Sequence, residues 1–384
     1  MKTVYVDNNA TTQVAPEVID AMLPFLKEMW GNPSSMHTFG GQVAKYIDKA
    51  REQVAALIGA ERASEIVFTS CGSESDNTAI RSGLLASPQK RHLITTNVEH
   101  PAVLNLCKEL QKEGYDVTFL AVDGEGRLDL EEFKKSIRDD TAIVSIMWAN
   151  NETGVIFPIE EIAAECQKRN VLLHVDAVQA VGKISIDLKK TPITYLALSG
   201  HKLHAPKGVG ALYVRRGTKF HPWLVGGHQE HGRRGGTENV ASIVGLGVAC
   251  ELARKNMEDE RTRVAAMRDK LEKGILESIP RSFVNGNRKM RLPNTTNISF
   301  EAIEGEAILL LMNEFGICAS SGSACTSGSL LPSHVLVAMG IPFTRAHGSI
   351  RFSLSCYNTD EEITFILEKM PGIVSRLRSL SPVS

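Results

Sequence analysis

The segment Ser199-Gly200-His201-Lys202 places a lysine directly after small and polar residues. It follows an apolar run, Tyr195–Leu198, that predicts a buried strand. A lysine that is desolvated at the end of a strand has a lowered pKa, and its neutral amine can attack a carbonyl carbon. Lys202 is therefore a candidate Schiff-base nucleophile. The alternative is an ordinary surface lysine whose stem lies on the protein.

Two polar side chains follow another predicted strand, Val171–Val175, upstream of that lysine. Asp176 stands at the end of this strand, and Gln179 comes three residues later. A carboxylate in this position can hold a protonated ring nitrogen, and a neighbouring amide can bond a phenolic oxygen. The alternative is that Asp176 only caps the next helix.

A third strand end carries the residues Ser70-Cys71-Gly72-Ser73-Glu74-Ser75-Asp76 at the start of a predicted helix. Small residues there leave backbone N–H groups accessible, and the helix dipole favours an anion such as phosphate. The alternative is that Ser73 simply caps the helix. Each of these signals is weak alone, but the order anion-binding turn, aspartate and lysine favours one shared ligand.

A second reactive candidate, Cys325, lies in a segment of almost uniformly small residues, 318–329. Glycine and serine permit many conformations and pack poorly, so the segment predicts a mobile surface loop. Exposed thiols are generally avoided unless they react. Cys325 is therefore a candidate nucleophile, with an incidental small residue as the alternative. Cys318, among apolar neighbours, is expected to pack in the core.

Strands and helices that would position these residues alternate along the first two-thirds of the chain. The strands are predicted at Ile66–Thr69, Leu93–Thr96, Val117–Ala121, Ile143–Met147, Leu172–Val175, Tyr195–Leu198 and Gly210–Val214. Helical patterns such as Glu160–Arg169 lie between several of them. The alternation predicts an α/β fold with a mainly parallel sheet, in which ligands bind beyond the carboxyl ends of the strands.

The pattern changes after about residue 255, where a smaller α+β domain is predicted. Its elements are a charged helix over Met257–Ser278, strands near Asn297–Phe300 and Ile350–Leu354, a helix near Glu306–Phe315 and a closing helix capped by Thr359. We expect a large domain of residues 15–256 and a small C-terminal domain of residues 257–384. The N-terminal segment 1–14 is expected to join the small domain, which also carries the cysteine loop.

Bulk composition excludes several classes of function. The 384 residues have a formal net charge of -1, with 43% hydrophobic and 23% charged residues. This balance predicts a soluble protein without the basic surface that nucleic acid or a membrane requires. We see no secretory signal and no apolar run near the ~20 residues of a membrane helix. Seven scattered cysteines without a C-x-x-C pair predict a reducing compartment, the cytoplasm.

The motifs around Lys202 and Asp176 resemble the class-V aminotransferase branch of the fold-type-I pyridoxal-phosphate (PLP) enzymes. The resemblance continues through Asp7-Asn8-Asn9-Ala10-Thr11-Thr12, Gly31-Asn32-Pro33-Ser34-Ser35, Glu99-His100, Asn150-Asn151-Glu152 and Arg233-Arg234-Gly235-Gly236-Thr237-Glu238-Asn239. Together these blocks resemble the cysteine desulfurases of the NifS/IscS family over essentially the full chain. The resemblance implies the PLP-dependent transferase fold of type I, with large and small domains.

The family implies catalytic roles for Lys202, His100 and Cys325. Lys202 would carry pyridoxal 5'-phosphate and move the substrate's Cα proton, and His100 would stack on the ring. Cys325 would take sulfur from L-cysteine as a persulfide, which leaves L-alanine. The implied cofactor-binding residues are Gly72, Ser73, Asn151, Asp176, Gln179, Ser199, Gly200, His201, Lys202 and Thr237. Many relatives have threonine at position 73, and serine retains the hydroxyl.

The remaining implications concern the substrate, the subunits and the acceptor. Arg351 and Asn151 would bind the substrate, and Thr237 would come from the neighbouring subunit of a homodimer. Blocks such as Gly227-His228-Gln229-Glu230 most resemble the nitrogen-fixation type, NifS. This type implies an iron–sulfur scaffold protein that serves nitrogenase as the sulfur acceptor. No resident metal is implied, although Cys325 would contact a cluster transiently on the scaffold.

Several alternatives stay open at this point. A selenocysteine lyase or a housekeeping-type cysteine desulfurase would use the same pocket. A zinc hydrolase would use His201-x-x-His204 and His228-x-x-His231, but these pairs lie in segments rich in glycine or proline and not on a helix. A non-enzymatic sulfur carrier would not need the cofactor motifs.

Overall fold

The computed structural model describes residues 3–322 and 332–381. Its helices are α1 (Pro16–Lys27), α2 (Thr38–Gly41), α3 (Ala44–Leu57), α4 (Gly72–Ala86), α5 (Pro101–Lys112), α6 (Leu130–Ser136), α7 (Ile159–Lys168), α8 (Val240–Asp259), α9 (Ala265–Ser278), α10 (Gly305–Glu314), α11 (His334–Ala338), α12 (Phe343–Ala346) and α13 (Asp360–Leu380). Its strands are β1 (Val4–Tyr5), β2 (Ile66–Thr69), β3 (His92–Thr96), β4 (Asp116–Leu120), β5 (Thr141–Ser145), β6 (Leu172–Asp176), β7 (Tyr195–Ser199), β8 (Gly210–Val214), β9 (Ser282–Val284), β10 (Thr295–Phe300), β11 (Ile317–Cys318) and β12 (Ser349–Ser353).

The large sheet has the strand order β2-β8-β7-β6-β5-β3-β4 within the described residues. All neighbouring pairs are parallel except those of β8, which is antiparallel to both β2 and β7. Helices cover both faces, so successive strand residues enter different apolar cores: Ile66 and Phe68 pack on one side and Val67 on the other. The predicted α/β class and mainly parallel sheet are confirmed.

A second apolar core is built around the antiparallel sheet β12-β10-β9 and helices α9, α10 and α13. Val4 and Val6 of the N-terminal segment belong to it, because β1 pairs in parallel with β11. Thr359 caps α13 through a reciprocal contact with Glu362, as predicted. The division into domains at residue 257 stays a prediction, and α8 passes through that position.

The expected helix over Met257–Ser278 is wrong at its beginning. Helical structure begins at Val240, continues through α8, passes a π-helical turn at Glu260–Val264 and ends with α9 at Ser278. Helix α8 is buried against α1 and α3 and carries apolar and small residues, such as Gly245 and Gly247, on several sides. Such a helix has no amphipathic stripe, which explains why the sequence pattern did not predict it.

The carboxyl ends of β2, β3, β5, β6 and β7 lie at one edge of the large sheet, because these strands are parallel. Residues that follow them in sequence therefore converge there. The three polar strand ends singled out in the sequence, at Ser70, Asp176 and Ser199, meet at this edge.

Candidate active site

A cavity of about 210 Å³ lies at this edge of the sheet. Ten of the predicted site residues line it: Gly72, Ser73, His100, Asn151, Asp176, Gln179, Ser199, His201, Lys202 and Arg351. Most of these residues lie at or after strand ends of the large sheet, and Arg351 lies on β12 of the small sheet. One chain therefore brings a lysine, a carboxylate, a guanidinium and an anion-binding helix start into a single cavity.

Of the other predicted site residues, Gly200 and Thr237 do not line this cavity, and Thr237 was expected at the cavity of a neighbouring subunit. Gly200 lies behind the cavity wall, where a Cβ atom would stand 2.8 Å from Cγ1 of Val209. Thr237 is exposed and is not among the residues that line the cavity. Cys325 lies outside the described residues. Cys318, expected in the core, is half-buried on β11.

Lys202 is held at the cavity wall by the N-terminal segment. Its Nζ donates hydrogen bonds to the carbonyl oxygens of Asn9 and Ala10, the latter at 2.7 Å. The backbone N–H of Thr12 donates to the carbonyl of His201, which fixes the neighbouring segment as well. The N-terminal residues thus position Lys202, the predicted Schiff-base lysine, a role that the sequence pattern alone did not assign to their carbonyl groups.

The anion-binding end of the cavity is the start of α4. This helix begins at Gly72 after Cys71, whose side chain makes no capping hydrogen bond. The alternative that Ser73 caps the helix is therefore wrong, because Ser73 is the second helical residue. Gly72 keeps the turn open, since a Cβ atom there would stand 2.9 Å from Cγ2 of Val178. Oγ of Ser199 is buried in the same wall and has no partner among the described residues.

Asp176 and Gln179 are the side chains predicted to bind the ring of the ligand. Asp176 is the last residue of β6, and its Oδ1 accepts from the N–H of Val178 at 2.9 Å. Nε2 of Gln179 donates one hydrogen bond to the carbonyl of Asn9 at 3.1 Å, which leaves its second hydrogen. Asp176 also lines the cavity, so its carboxylate can accept a further hydrogen bond from a ligand there.

Two further buried carboxyl groups, those of Asp76 and Glu99, interact electrostatically with the carboxyl group of Asp176. Burial raises the pKa of Glu99 to about 8, although Met147 N–H and the Thr96 hydroxyl oppose the shift. Burial and the like charges of Asp176 and Glu99 raise the pKa of Asp76 well above its usual range. Burial also raises the pKa of Asp176, but His100, the Val178 N–H and Lys202 favour its charged form. Of the three carboxyl groups, Asp176 is the one whose charged form is favoured by nearby basic side chains, those of His100 and Lys202.

Asp76 is a cavity residue to which the sequence analysis gave no role. Its Oδ1 lies 3.4 Å from Nε2 of His174, whose Nδ1 is 2.9 Å from Oγ of Ser145. Burial lowers the pKa of His174 to about 3, so the ring is neutral. The available signal was a histidine inside an apolar strand, Leu172-Leu173-His174-Val175, which indicates a buried polar contact.

His100 is a neutral histidine with a defined hydrogen. Its Nδ1 accepts from the N–H of Ala102 at 3.2 Å and so caps α5, which places the ring hydrogen on Nε2. Burial lowers the pKa of His100, Asp176 opposes the shift, and Lys202 adds to it. Nε2 is thus a hydrogen-bond donor within the cavity at neutral pH.

Arg351 is a buried guanidinium, 1% exposed, at the boundary of the two cores. Its Nη2 donates to Oδ1 of Asp7 at 2.8 Å, and its Nη1 donates to the carbonyl of Asn151 at 3.0 Å. Its Nε has no partner within the described part of the chain. Two fixed contacts therefore orient the group and leave donors for a carboxylate ligand.

Comparison with known proteins places the chain in a family. The family model described as aminotransferase class-V matches residues 4–366. A cysteine desulfurase of Trichormus azollae is 62% identical over 382 residues, covering 100% of this chain and 95% of the relative. The cysteine desulfurase NifS of Azotobacter vinelandii has the same identity and coverage. The chain belongs to the cysteine desulfurases of the class-V aminotransferase family.

A solved structure described as a NifS-like protein supports the same assignment for the fold. It superimposes with a TM-score of 0.92 at 40% identity, covering 98% of this chain and 100% of that chain. The predicted resemblance and the fold-type-I class are therefore confirmed. Cysteine desulfurases of this family depend on pyridoxal phosphate, so the cofactor prediction is confirmed as well.

The residues of this cysteine desulfurase fit that cofactor. The start of α4 and the unpartnered Oγ of Ser199 offer donors for a phosphate, and Lys202 offers an amine for an aldehyde. Asp176 offers a buried carboxylate for a protonated ring nitrogen, and Gln179 a free amide hydrogen for a phenolic oxygen. All of these groups line one cavity.

Two further searches bear on other functions. The described ranges, 3–322 and 332–381, contain no group of three or more histidine, cysteine, aspartate or glutamate side chains suited to a metal ion. None of the helices in the same ranges is both long enough and apolar enough to cross a membrane.

Proposed function

We propose that this cysteine desulfurase removes sulfur from L-cysteine, releases L-alanine and holds the sulfur as a persulfide on Cys325. The observation that carries the proposal is the cavity itself, which combines the Lys202 amine, the buried Asp176 carboxylate and the buried Arg351 guanidinium. An amino-acid substrate needs a cation for its carboxylate, and its amine must meet the cofactor that Lys202 holds.

Arg351 is proposed to bind the substrate carboxylate. Its contacts with Asp7 and Asn151 fix the plane of the guanidinium, so its remaining N–H groups form a preorganised donor set. Asn151 is proposed to contact the substrate from the same wall, because its side chain lines the cavity and its carbonyl is held by Arg351 and Asn9.

Lys202 is proposed to take the proton from the substrate Cα, and His100 to donate its Nε2 hydrogen within the cavity. Pyridoxal phosphate, when bound, supplies an electron sink for the negative charge that develops at Cα. Asp176 would keep the ring nitrogen protonated, and Gln179 would bond the phenolic oxygen. Gly72, Ser73, Ser199 and His201 would hold the phosphate.

Sulfur transfer is proposed to take place at Cys325. The thiolate of Cys325 would attack the substrate Sγ, and the substrate Cβ–Sγ bond would break with its electron pair remaining on the carbon. Protonation of that carbon gives alanine, and the new S–S bond is the persulfide. This assignment rests on the small-residue segment around Cys325 and on the family resemblance.

The chain is further proposed to act as a homodimer, with Thr237 reaching the partner subunit's cavity. The support is a set of exposed apolar side chains in residues 19–39, called here the α1 patch: Ile19, Leu23, Leu26, Trp30, Met36 and Phe39. Trp30 and Phe39 contact each other with ring centroids 4.9 Å apart, and exposed apolar groups of this kind are typical of a protein interface. Thr237 is also exposed and therefore able to contact a second subunit.

The acceptor of the sulfur is proposed to be an iron–sulfur scaffold protein in the cytoplasm, in the nitrogen-fixation role. The named NifS relative, at 62% identity, supports the subtype. Cysteines without a disulfide among the described residues agree with a reducing compartment.

The proposal is tested by incubating the purified holoenzyme with L-cysteine and a reductant that discharges the persulfide. We expect alanine and sulfide in equal amounts. A preparation that contains bound cofactor but forms no alanine would contradict the proposed substrate.

A further inference from the structure

We propose that Arg234 is a positioning residue for phosphate recognition, because its ion pair with Glu74 neutralises a carboxylate built into the anion-binding turn of α4. The inference rests on the proposed function, since the anion in question is the phosphate of the cofactor. Neither residue lines the cofactor cavity, so the effect is exerted through the helix start and through charge.

The ion pair is bidentate and largely shielded from solvent. Nε of Arg234 lies 2.9 Å from Oε1 of Glu74, and Nη2 lies 3.1 Å from Oε2. The side chains are 22% and 11% exposed, respectively. Two parallel N–H···O bonds in a partly dry site define one geometry, which a surface contact between flexible side chains would not.

Glu74 is part of the turn that would bind the phosphate. It is the third residue of α4, directly after Gly72 and Ser73, and its Oε2 also accepts from the N–H of Ser70 at 2.8 Å. The carboxylate therefore joins both sides of the bend between β2 and α4. Its negative charge is therefore fixed beside the backbone N–H groups on which anion binding depends.

The charge of Glu74 opposes the function of this turn. A glutamate in a first helical turn stabilises the helix, but it repels a phosphate dianion bound at the same place. Glu74 keeps its negative charge. Burial favours the neutral form, but hydrogen bonds from Arg234 and Ser70 outweigh burial and lower the pKa of Glu74. A cation is needed, and Arg234 provides it.

Arg234 is presented by a rigid part of the chain. The N–H of Gly235 donates to the carbonyl of Leu224 at 2.8 Å. A Cβ atom on Gly235 would stand 2.6 Å from Cα of Gly226, so two backbone segments cross in direct contact. The guanidinium thus approaches Glu74 from a fixed crossing, and the pair is formed before any ligand arrives.

Charge neutralisation by Arg234 differs from a purely structural tether in one measurable respect. A tether would support binding of the whole cofactor, whether or not it carries a phosphate. Charge neutralisation should matter for pyridoxal phosphate and hardly at all for pyridoxal, which has the same ring and aldehyde without the phosphate.

The test compares both compounds on the full-length protein, stripped of cofactor and titrated by absorbance. The variants are Arg234→Gln, Arg234→Lys, Glu74→Gln and the double variant Glu74→Gln/Arg234→Gln. We expect Arg234→Gln to weaken pyridoxal phosphate binding about tenfold and pyridoxal binding less than about twofold. Arg234→Lys and the double variant should return to within about threefold of the unaltered protein. Glu74→Gln alone should bind pyridoxal phosphate at least as tightly as the unaltered protein, and this expectation does not depend on the folding of an Arg234 variant.

The neighbouring Arg233→Gln is the matched control. Arg233 donates to the carbonyls of Ser64 and Ile66 and not to Glu74, so its loss removes structure without exposing that charge. Equal weakening of both compounds by Arg234→Gln, or a double variant as weak as the single one, would overturn the inference alone. An unaltered protein that binds neither compound would overturn the proposed function and this inference with it.

Discussion

At the scale of single residues, Arg351 is the proposed binding group for the substrate carboxylate. Its guanidinium donates two hydrogen bonds, to Asp7 and to the carbonyl of Asn151, and its remaining N–H groups are held in a fixed plane. A lysine has three donors on a rotating ammonium, so it cannot hold both contacts and also a carboxylate in bidentate geometry.

We therefore expect Arg351→Lys to lower kcat/KM for L-cysteine about tenfold or more while the cofactor stays bound. The measurement is alanine formation against cysteine concentration, with cofactor absorbance recorded in parallel. Arg254→Lys, on the exposed side of α8, is the control and should leave both unchanged. An Arg351→Lys enzyme with unaltered kcat/KM would remove Arg351 from substrate binding.

Glu99 is a second residue whose chemistry has a measurable consequence. Its folded pKa is about 8 because of burial, against 4.5 for the free side chain. A group with a raised folded pKa stabilises the fold below its unfolded pKa, and this stabilisation is lost as the pH rises towards its folded pKa. The buried histidines have the opposite slope, but His174, His201 and His204 have lowered pKa values, and their contribution changes only below about pH 6.5.

The free energy of unfolding should therefore fall between pH 6.5 and pH 8, and Glu99→Gln should make this decline smaller. Urea unfolding midpoints at several pH values give the slope directly. Glu109→Gln, on the exposed face of α5, should keep the slope of the unaltered protein. The same decline in both variants would show that Glu99 is not the group that titrates.

At the scale of elements, the π-helical turn between α8 and α9 places a buried acid opposite a buried lysine. Burial raises the pKa of Glu260 to about 7, and Lys183 opposes the shift. Burial in turn lowers the pKa of Lys183, which Glu260 opposes. Both side chains line a cavity of about 70 Å³ that also contacts Lys202.

Replacement of Lys183 by methionine should remove the favourable charge that Lys183 provides near Glu260 and lower the free energy of unfolding by about 2 kcal/mol. The double variant Lys183→Met/Glu260→Gln should recover part of that loss, because no buried charge is left unbalanced. Urea denaturation measures both. Lys190→Met is the control, since its side chain is 85% exposed. A Lys183→Met protein as stable as that control would contradict the account.

Elements also show how far the sequence could predict the structure. The strands Ile66–Thr69 and Gly210–Val214 were predicted with their observed limits, because short apolar runs between turn residues have few other interpretations. Helix α8 was missed, since its burial on several sides leaves no amphipathic period.

Part of the active site could also be predicted from the sequence, and part could not. Lys202, Asp176 and Ser73 follow strands of one sheet, so their meeting could be predicted from local pattern and strand direction. The pairing of Glu74 with Arg234 joins residues 160 positions apart through a loop crossing, and that of Asp7 with Arg351 joins residues 344 apart. Only the folded chain reveals such contacts, because no periodicity connects their sequence positions.

At the scale of the whole molecule, the proposed dimer depends on the α1 patch. Trp30 is 68% exposed there, which leaves a large aromatic surface for a partner to cover. If Thr237 contributes to the partner subunit's phosphate site, separation of the subunits should also weaken cofactor binding.

We expect Trp30→Glu to shift the protein from dimer to monomer in gel filtration and to weaken binding of pyridoxal phosphate. A buried charge at an interface without a counter-charge is strongly unfavourable. Leu380→Glu, which alters an exposed leucine on α13, is the control and should leave the dimer intact. An active monomer of the unaltered protein would refute the cross-subunit role of Thr237.

In the proposed reaction sulfur passes from L-cysteine to the thiol of Cys325, and locating the persulfide tests this transfer. The holoenzyme is treated once with L-cysteine without reductant, alkylated, digested and mapped by mass spectrometry. We expect one added sulfur atom on the peptide that contains Cys325 and none in Cys325→Ser, which should still bind cofactor and substrate. A persulfide on another of the seven cysteines, or full alanine turnover by Cys325→Ser, would contradict it.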